Sequence, residues 1–393
     1  MTLGRLATEI LLHIFRSCDG VSDILNLAAT CKRLYRLFHT LPNRLQVLAN
    51  CAEAEFGPVE DIVQLVTHNV SQPVHVLREA PMTTALLRQI VRVGKVARNW
   101  ESIYPVKKWK VDYESRRSLT AEERFRLRRA LYRLWLYHRA FHMGFFDRFT
   151  RHLWPVIQHR AKLLHNWSTE ELADVEDLRS VMCDVVQNHI CPSNGAIQRK
   201  FRKRYPESNH QLTFNVQLNY PYHNDIFYNH SSNLSYRDFL SGSRGDPYQL
   251  DVVDDDDNEQ QPIMPSSVEQ YFHTAHPTSR QKDPAKYRSR FRNDLFHDPG
   301  SEGWGDEIPH YYVVQDMMKL DPCQILWLCN HAPMKQQVED YVFSLGDWFR
   351  DNGETFGDTL EWVMKERNDD VADLRAAIDD REMGIVRGSY HGI

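Results

Sequence analysis

Glycine is sparse, with 17 in 393 residues, and none stands in the spacing that lets a backbone loop wrap a phosphate. There is no G-x-S-x-G turn and no Cys/His nucleophile signature, so no familiar catalytic site is expected and the chain is not read as an enzyme. No run of about 18 apolar residues occurs, which excludes an expected transmembrane helix. The apolar residues near the N-terminus are interrupted by Arg5, Glu9 and His13 and are followed by no small-residue cleavage site, unlike a secretory signal. The cysteines number seven, at positions 18, 31, 51, 183, 191, 323 and 329. That odd count without C-x-x-C spacing predicts reduced thiols in a cytoplasmic and/or nuclear protein. A net charge of -5 gives no global basic field, so neither nucleic acid nor membrane is an expected partner. Alternating strand patterns and internal repeats are also missing.

What is present is helical. Hydrophobic residues are 42% and aromatic residues 11% of the chain, enough for a sizeable core, and the length predicts two or three domains. Near the N-terminus, Leu6, Ile10, Leu11, Ile14 and Phe15 recur at helical spacing, with Thr8 expected as a cap. After a break at Gly20, Ser22 is expected to cap a second helix, and 30–38 forms a third. Farther on, 83–100 aligns Leu86, Ile90, Val93, Ala97 and Trp100 on one stripe. Thr120 with Glu123, and Ser168 with Glu171, match the capping box, in which each residue satisfies a helix-start N–H of the other. The first box opens a helix whose expected buried face is Leu127, Ala130, Leu131, Leu134, Trp135, His138 and Phe141; the second aligns Leu172, Val175, Leu178, Met182 and Val185. Asp321 before Pro322 is a further start signal. One helix is expected to hold Val338, Tyr341, Val342, Leu345, Trp348 and Phe349, and 359–367 and 370–381 are the last two. Between 205 and 310 periodicity is lost, and Asp254 to Asp257 form an acidic run, so an irregular, partly disordered insertion is expected there.

The expected class is therefore all-α: an N-terminal three-helix module at 1–48, a helical domain at 49–204, the insertion at 205–310, and C-terminal helices at 311–393 packing on the helical domain. A three-helix unit this short is near the lower limit of independent stability. Its apolar residues exceed what one face needs, which predicts an exposed patch for a partner.

Leu6, Glu9, Ile10, Leu11, Ile14 and Phe15, then Asp23, Leu25 and Leu27, then Cys31, Lys32 and Leu34 resemble the F-box pattern over about residues 3 to 48. Polar positions such as Glu9, Asp23 and Lys32 belong to that pattern although core packing does not demand them. The chain departs from it at Ala7, where the family places a proline that presets the turn into the first helix. Stretches 119–125, 129–135 and 351–362 resemble a group of fungal F-box proteins with an uncharacterised helical C-terminal part. The resemblance implies a substrate-recruiting adaptor of a Skp–cullin–F-box ubiquitin ligase. It would bind the Skp adaptor, and through it cullin and RING subunits, and carry an unknown protein substrate. The contact residues it implies are Leu6, Ile10, Leu11, Ile14, Leu25, Leu27, Cys31 and Leu34, and the sequence does not divide these from the module's own core. The alternative is a helical scaffold, or a nuclear interaction protein, without a ubiquitin-ligase role.

No cofactor or metal is expected. His138 and His142 stand one turn apart as in a two-His site, but no third ligand is evident, and aromatic packing or surface exposure is expected instead. Glu170, Glu171, Asp174 and Asp177 read as a solvated helix face. Arg124, Arg126, Arg128, Arg129, Arg133 and Arg139 read as surface pairing, or as a face for an acidic partner. Arg199, Lys200, Arg202, Lys203 and Arg204 read as an exposed helix end, or as a nuclear-localisation or nucleic-acid patch.

Overall fold

Helices begin where the sequence supplies a cap. Thr83 accepts from the Leu86 amide at 3.1 Å, and both capping boxes form, Thr120 with Glu123 and Ser168 with Glu171. Asp321 forms a third box with Gln324. The computed structural model of the protein describes residues 6–142, 150–208, 307–346, 348–349 and 352–388. Of these, 71% are helical and none is in a strand, so the class is all-α.

The N-terminal helices are α1 (Thr8–Arg16), α2 (Val21–Ala29), α3 (Lys32–His39) and α4 (Leu41–Phe56). The body follows with α5 (Val59–Val66), α6 (Thr84–Lys108), α7 (Ala121–Phe141), α8 (Trp154–His165), α9 (Thr169–Val185) and α10 (Asn194–Arg204). Then come α11 (Glu307–Met317), α12 (Pro322–His331), α13 (Lys335–Ser344), α14 (Phe356–Glu366) and α15 (Val371–Asp379). Around α7 pack α5, α6 and α9; α14 lies on α8, α15 on α9, and α4 on α6.

Several boundaries differ from those the sequence predicts. Ala7 and Gly20, not Thr8 and Ser22, precede α1 and α2. The helix after Thr83 runs on to Lys108, because Trp100 and Tyr104 continue its buried stripe. Ser344 ends α13 early: Gly346 adopts φ +80°, the left-handed turn that terminates a helix. Leu345, Trp348 and Phe349 are still buried beyond that turn. Most of the expected insertion, 209–306 with its acidic run, lies outside the described residues; 307–310 already belong to α11.

The centre of the body is α7, buried on more than its expected face. All seven expected residues are buried, and so are Tyr132, Leu136, Tyr137 and Arg139. Several of the polar atoms this brings inside find partners on other elements. Tyr132 donates to the Phe56 carbonyl at 2.8 Å, and the Tyr137 hydroxyl lies 3.0 and 2.9 Å from those of Thr355 and Thr359. Arg139 reaches the Leu65 carbonyl at 3.1 Å. Four of the remaining arginines pair: Arg126 with Glu122, Arg128 with Glu101, Arg129 with Asp174, and Arg133 with Asp61 and Glu171.

Of the acidic face expected on α9, Glu170 is exposed and Glu171 half-buried, but the other two residues are not solvated. Asp174 and Asp177 are each 1% exposed. Asp177 accepts from Tyr104 at 2.6 Å, Lys108 at 2.8 Å and the Ile385 amide at 3.0 Å. That last bond holds the C-terminal segment down, and Gly384 just before it sits at φ +93° with no room for a Cβ beside Asp177.

His138 and His142 are 2% and 1% exposed, so of the two expectations the buried one holds. Their rings lie 4.7 Å apart, and each Nδ1–H donates to a carbonyl, of Leu320 at 2.8 Å and Lys319 at 3.0 Å. Desolvation pushes the His142 imidazole down to about 3, against its bond to Lys319, with Lys319, Arg160 and Arg179 adding repulsion. Desolvation first, and then His142, lowers His138, against the attraction of Glu354. Desolvation with Arg139 and Arg78 lowers His68 to about 3.

Unfolded, these rings titrate near 6.5; folded, they stay neutral well below that. The unfolded state therefore binds more protons as pH falls below 6.5, and each ring removes up to about 1.4 kcal/mol of stability per pH unit. Urea denaturation is expected to show a midpoint that falls from about pH 7.5 to about pH 5. An unchanged midpoint would mean that protons reach these rings in the folded state.

Candidate protein-docking surface

Each of the first three helices gives the core two residues one turn apart, the spacing that stacks side chains on one face. They are Leu11 and Phe15 in α1, Ile24 and Ala28 in α2, and Leu34 and Phe38 in α3. The Phe15 and Phe38 rings stack at 5.7 Å. Helices of 8 or 9 residues do not persist alone, and α4 closes the unit with Val47, Leu48, Cys51 and Ala52. Burial, followed by Glu55, pushes the Cys51 thiol up to about 12, so this cysteine acts as a small apolar side chain. Position 48 falls inside α4, which runs unbroken from the small unit into the body.

The eight contact residues implied by the F-box pattern divide into two sets. Leu11 and Leu34 are 0% and 1% exposed and belong to the core, out of reach of any partner. Leu6, Ile14 and Leu27 are half-buried at its edge, and Ile10, Leu25 and Cys31 are exposed, Ile10 and Leu25 at 49% each. Tyr35, 54% exposed and packed on His39 with ring centroids 4.0 Å apart, is a further apolar residue on this surface. Ile10 and Ile14 form a stripe on α1 beside the buried stripe of Leu11 and Phe15. The polar positions Glu9, Asp23 and Lys32 are all exposed.

The unit is fastened to the body through the end of α4. With no side-chain cap at Gly20, the first amide of α2, Val21, donates instead to Glu55 Oε2 at 2.7 Å. That places a carboxylate at a helix N-terminus, where the helix dipole favours it. The other Glu55 oxygen pairs with Arg98 on α6. One residue on, the Phe56 ring lies against Gly94 of α6 so closely that a Cβ there would come within 2.3 Å of it. Neither α4 nor α5 is among the sequence-predicted helices. Val47, Leu48, Cys51, Ala52 and Phe56 carry a helical pattern that could have revealed α4.

The other sequence-flagged groups do not assemble into a site. No cluster of three or more His, Cys, Asp or Glu able to hold a metal occurs among the described residues. The basic residues 199–204 are exposed at the end of α10. No described helix is long and apolar enough to cross a membrane. Comparison with known proteins returned no matching family model, no similar curated protein and no similar solved structure.

Burial separates two kinds of substitution. Leu34→Asp places a charge in the core and is expected to cost about 4 kcal/mol or more, unfolding the unit. Ile10→Asp is expected to leave the fold and thermal midpoint nearly unchanged, and circular dichroism melts of the two variants check this. Gly94→Ala is expected to lose about 1–3 kcal/mol from overpacking, more than the roughly 1 kcal/mol gained in helix propensity. A stabilised Gly94→Ala chain would show that α4 and α6 separate without cost.

Proposed function

We propose that the protein is a substrate-recruiting adaptor of a Skp–cullin–F-box ubiquitin ligase, in which α1 to α4 dock the Skp adaptor and the helical body presents a protein substrate. The observation that carries this reading is the split within the F-box pattern. Three of its eight apolar contact positions, Ile10, Leu25 and Cys31, are exposed and three more are half-buried, while the fold is held by the neighbouring stripe. A folded chain gains little from leaving Ile10 and Leu25 half in water, and a docking partner recovers that apolar area at about 25 cal/mol per Å².

The departure at Ala7 is compatible with this reading. Ala7 has φ -60° and ψ 152°, and that φ is the value a proline ring fixes. The first turn thus has the geometry proline would preset, reached without it.

The mechanism is proximity. Holding the substrate on a rigid body beside a ubiquitin-charged enzyme raises its effective concentration, and the adaptor contributes no chemistry of its own. Rigidity matters because a loose tether would spread the substrate over a larger volume. The Glu55 and Phe56 contacts supply it here.

Purified full-length chain is expected to bind purified Skp adaptor in calorimetry, and Ile10→Asp to weaken binding by about tenfold or more without unfolding. Ala7→Pro is expected to keep or improve binding, since it restricts only the unfolded chain. Failure of a folded full-length chain to bind would overturn the adaptor reading. Binding to the Skp adaptor without cullin co-purification would favour a scaffold role outside the ligase.

A further inference from the structure

An open cleft of about 660 Å³ lies between the C-terminal half of α6, the connection that follows it and the start of α7. Four arginines line it, Arg98, Arg116, Arg117 and Arg124, against one carboxylate, Glu101. Glu101 is turned to Arg128, 2.5 Å from its Nε. Two of the four arginines are held in place from outside the cleft. Arg98 pairs with Glu55, and Arg117 forms two parallel bonds of 2.6 Å to Glu123 while lying over the Trp109 ring at 5.4 Å. The other two, Arg116 and Arg124, are exposed and meet no carboxylate at ion-pair distance among the described residues. Arg124 also sits near the N-terminal end of α7, where the helix dipole disfavours a cation. Glu122 and Glu123 of the same turn pair with Arg126 and Arg117, which leaves the Arg124 guanidinium open to a group outside the fold.

The cleft is not only cationic. Val106 and Tyr113 line it at 42% and 70% exposure. Guanidinium pairs carboxylates with two parallel bonds, and exposed apolar side chains beside such groups select a segment that carries an apolar residue among its acids.

We propose that this cleft binds an acidic peptide segment bearing an apolar or aromatic side chain, with Arg116 and Arg124 as its carboxylate receptors. Two uncompensated guanidiniums match two carboxylates. They do not match the many phosphates a nucleic acid presents, and the chain's net charge of -5 opposes a polyanion at long range. A nucleic acid would instead meet the five cations of α10. That the bound segment belongs to a ligase substrate rests on the adaptor reading; the cleft's preference for an acidic segment does not.

The test uses full-length protein and fluorescence anisotropy with a labelled poly(Glu,Tyr) copolymer, poly-Glu and an oligothymidylate of similar length. Poly(Glu,Tyr) is expected to bind best. The double substitution Arg116→Glu, Arg124→Glu is expected to weaken it about tenfold or more. The charge-matched pair Arg202→Glu, Lys203→Glu on α10 is expected to leave it unchanged. Melts confirm that the variants fold, as expected for exposed side chains. Skp-adaptor binding, measured on the same variants, is expected to be unaffected, which separates the cleft from the docking face. If the copolymer behaves as expected and the Skp adaptor does not bind, the cleft stands and the adaptor reading falls. Absent copolymer binding, equal loss in the α10 variant, or tighter oligothymidylate binding would each overturn the proposal.

Discussion

The burial of α7 constrains the rest of the fold. A helix carrying arginines, tyrosines and histidines goes inside at lower cost the more of its polar atoms meet partners, because an unmet one costs about 1–3 kcal/mol. The partners come from separate stretches of chain. Phe56 ends α4, Leu65 belongs to α5, Asp174 to α9, Lys319 and Leu320 lie just before α12, and Thr355 and Thr359 start α14. Each bond fixes one neighbour around α7. Displacing a single neighbour strands a polar group in the core, so the neighbours are expected to move together or not at all.

The same network reaches the N-terminal unit. The Phe56 carbonyl that satisfies Tyr132 belongs to the residue whose ring fills the space over Gly94. The residue before it, Glu55, satisfies the first amide of α2 and pairs with Arg98. Arg98 in turn lines the arginine cleft. The N-terminal unit and the cleft are therefore joined by one short chain of contacts, α2 to Glu55 to Arg98.

Local signals were legible in the sequence, and distant ones were not. Both capping boxes and the Thr83 and Asp321 caps form because their partners are three residues away. Asp174 and Asp177 read as solvated acids because nothing nearby in sequence balances them. Their partners are Arg129, Tyr104, Lys108 and the Ile385 amide, 45 to 208 residues away. Tyr132 and Arg139 were missed for the same reason: periodicity finds one apolar face, and a helix enclosed on several sides by polar bonds has no single face to find. At the docking unit the apolar positions were legible, but not their division. Ile10 with Ile14 and Leu11 with Phe15 are both i, i+4 pairs, and the positions of α3 and α4 decide which pair turns inward.

That division has an energetic consequence. Leu11, Phe15, Ile24, Ala28, Leu34 and Phe38 stabilise the unit before any partner arrives, whereas Ile10, Leu25 and Tyr35 contribute little to the isolated chain. Fold and docking thus rest on different residues of the same short helices. Substitutions in the exposed set therefore leave the core intact, and the core holds the unit against α4 and α6 without them. A preordered face also loses little conformational entropy on association, so more of the apolar area it buries appears as affinity.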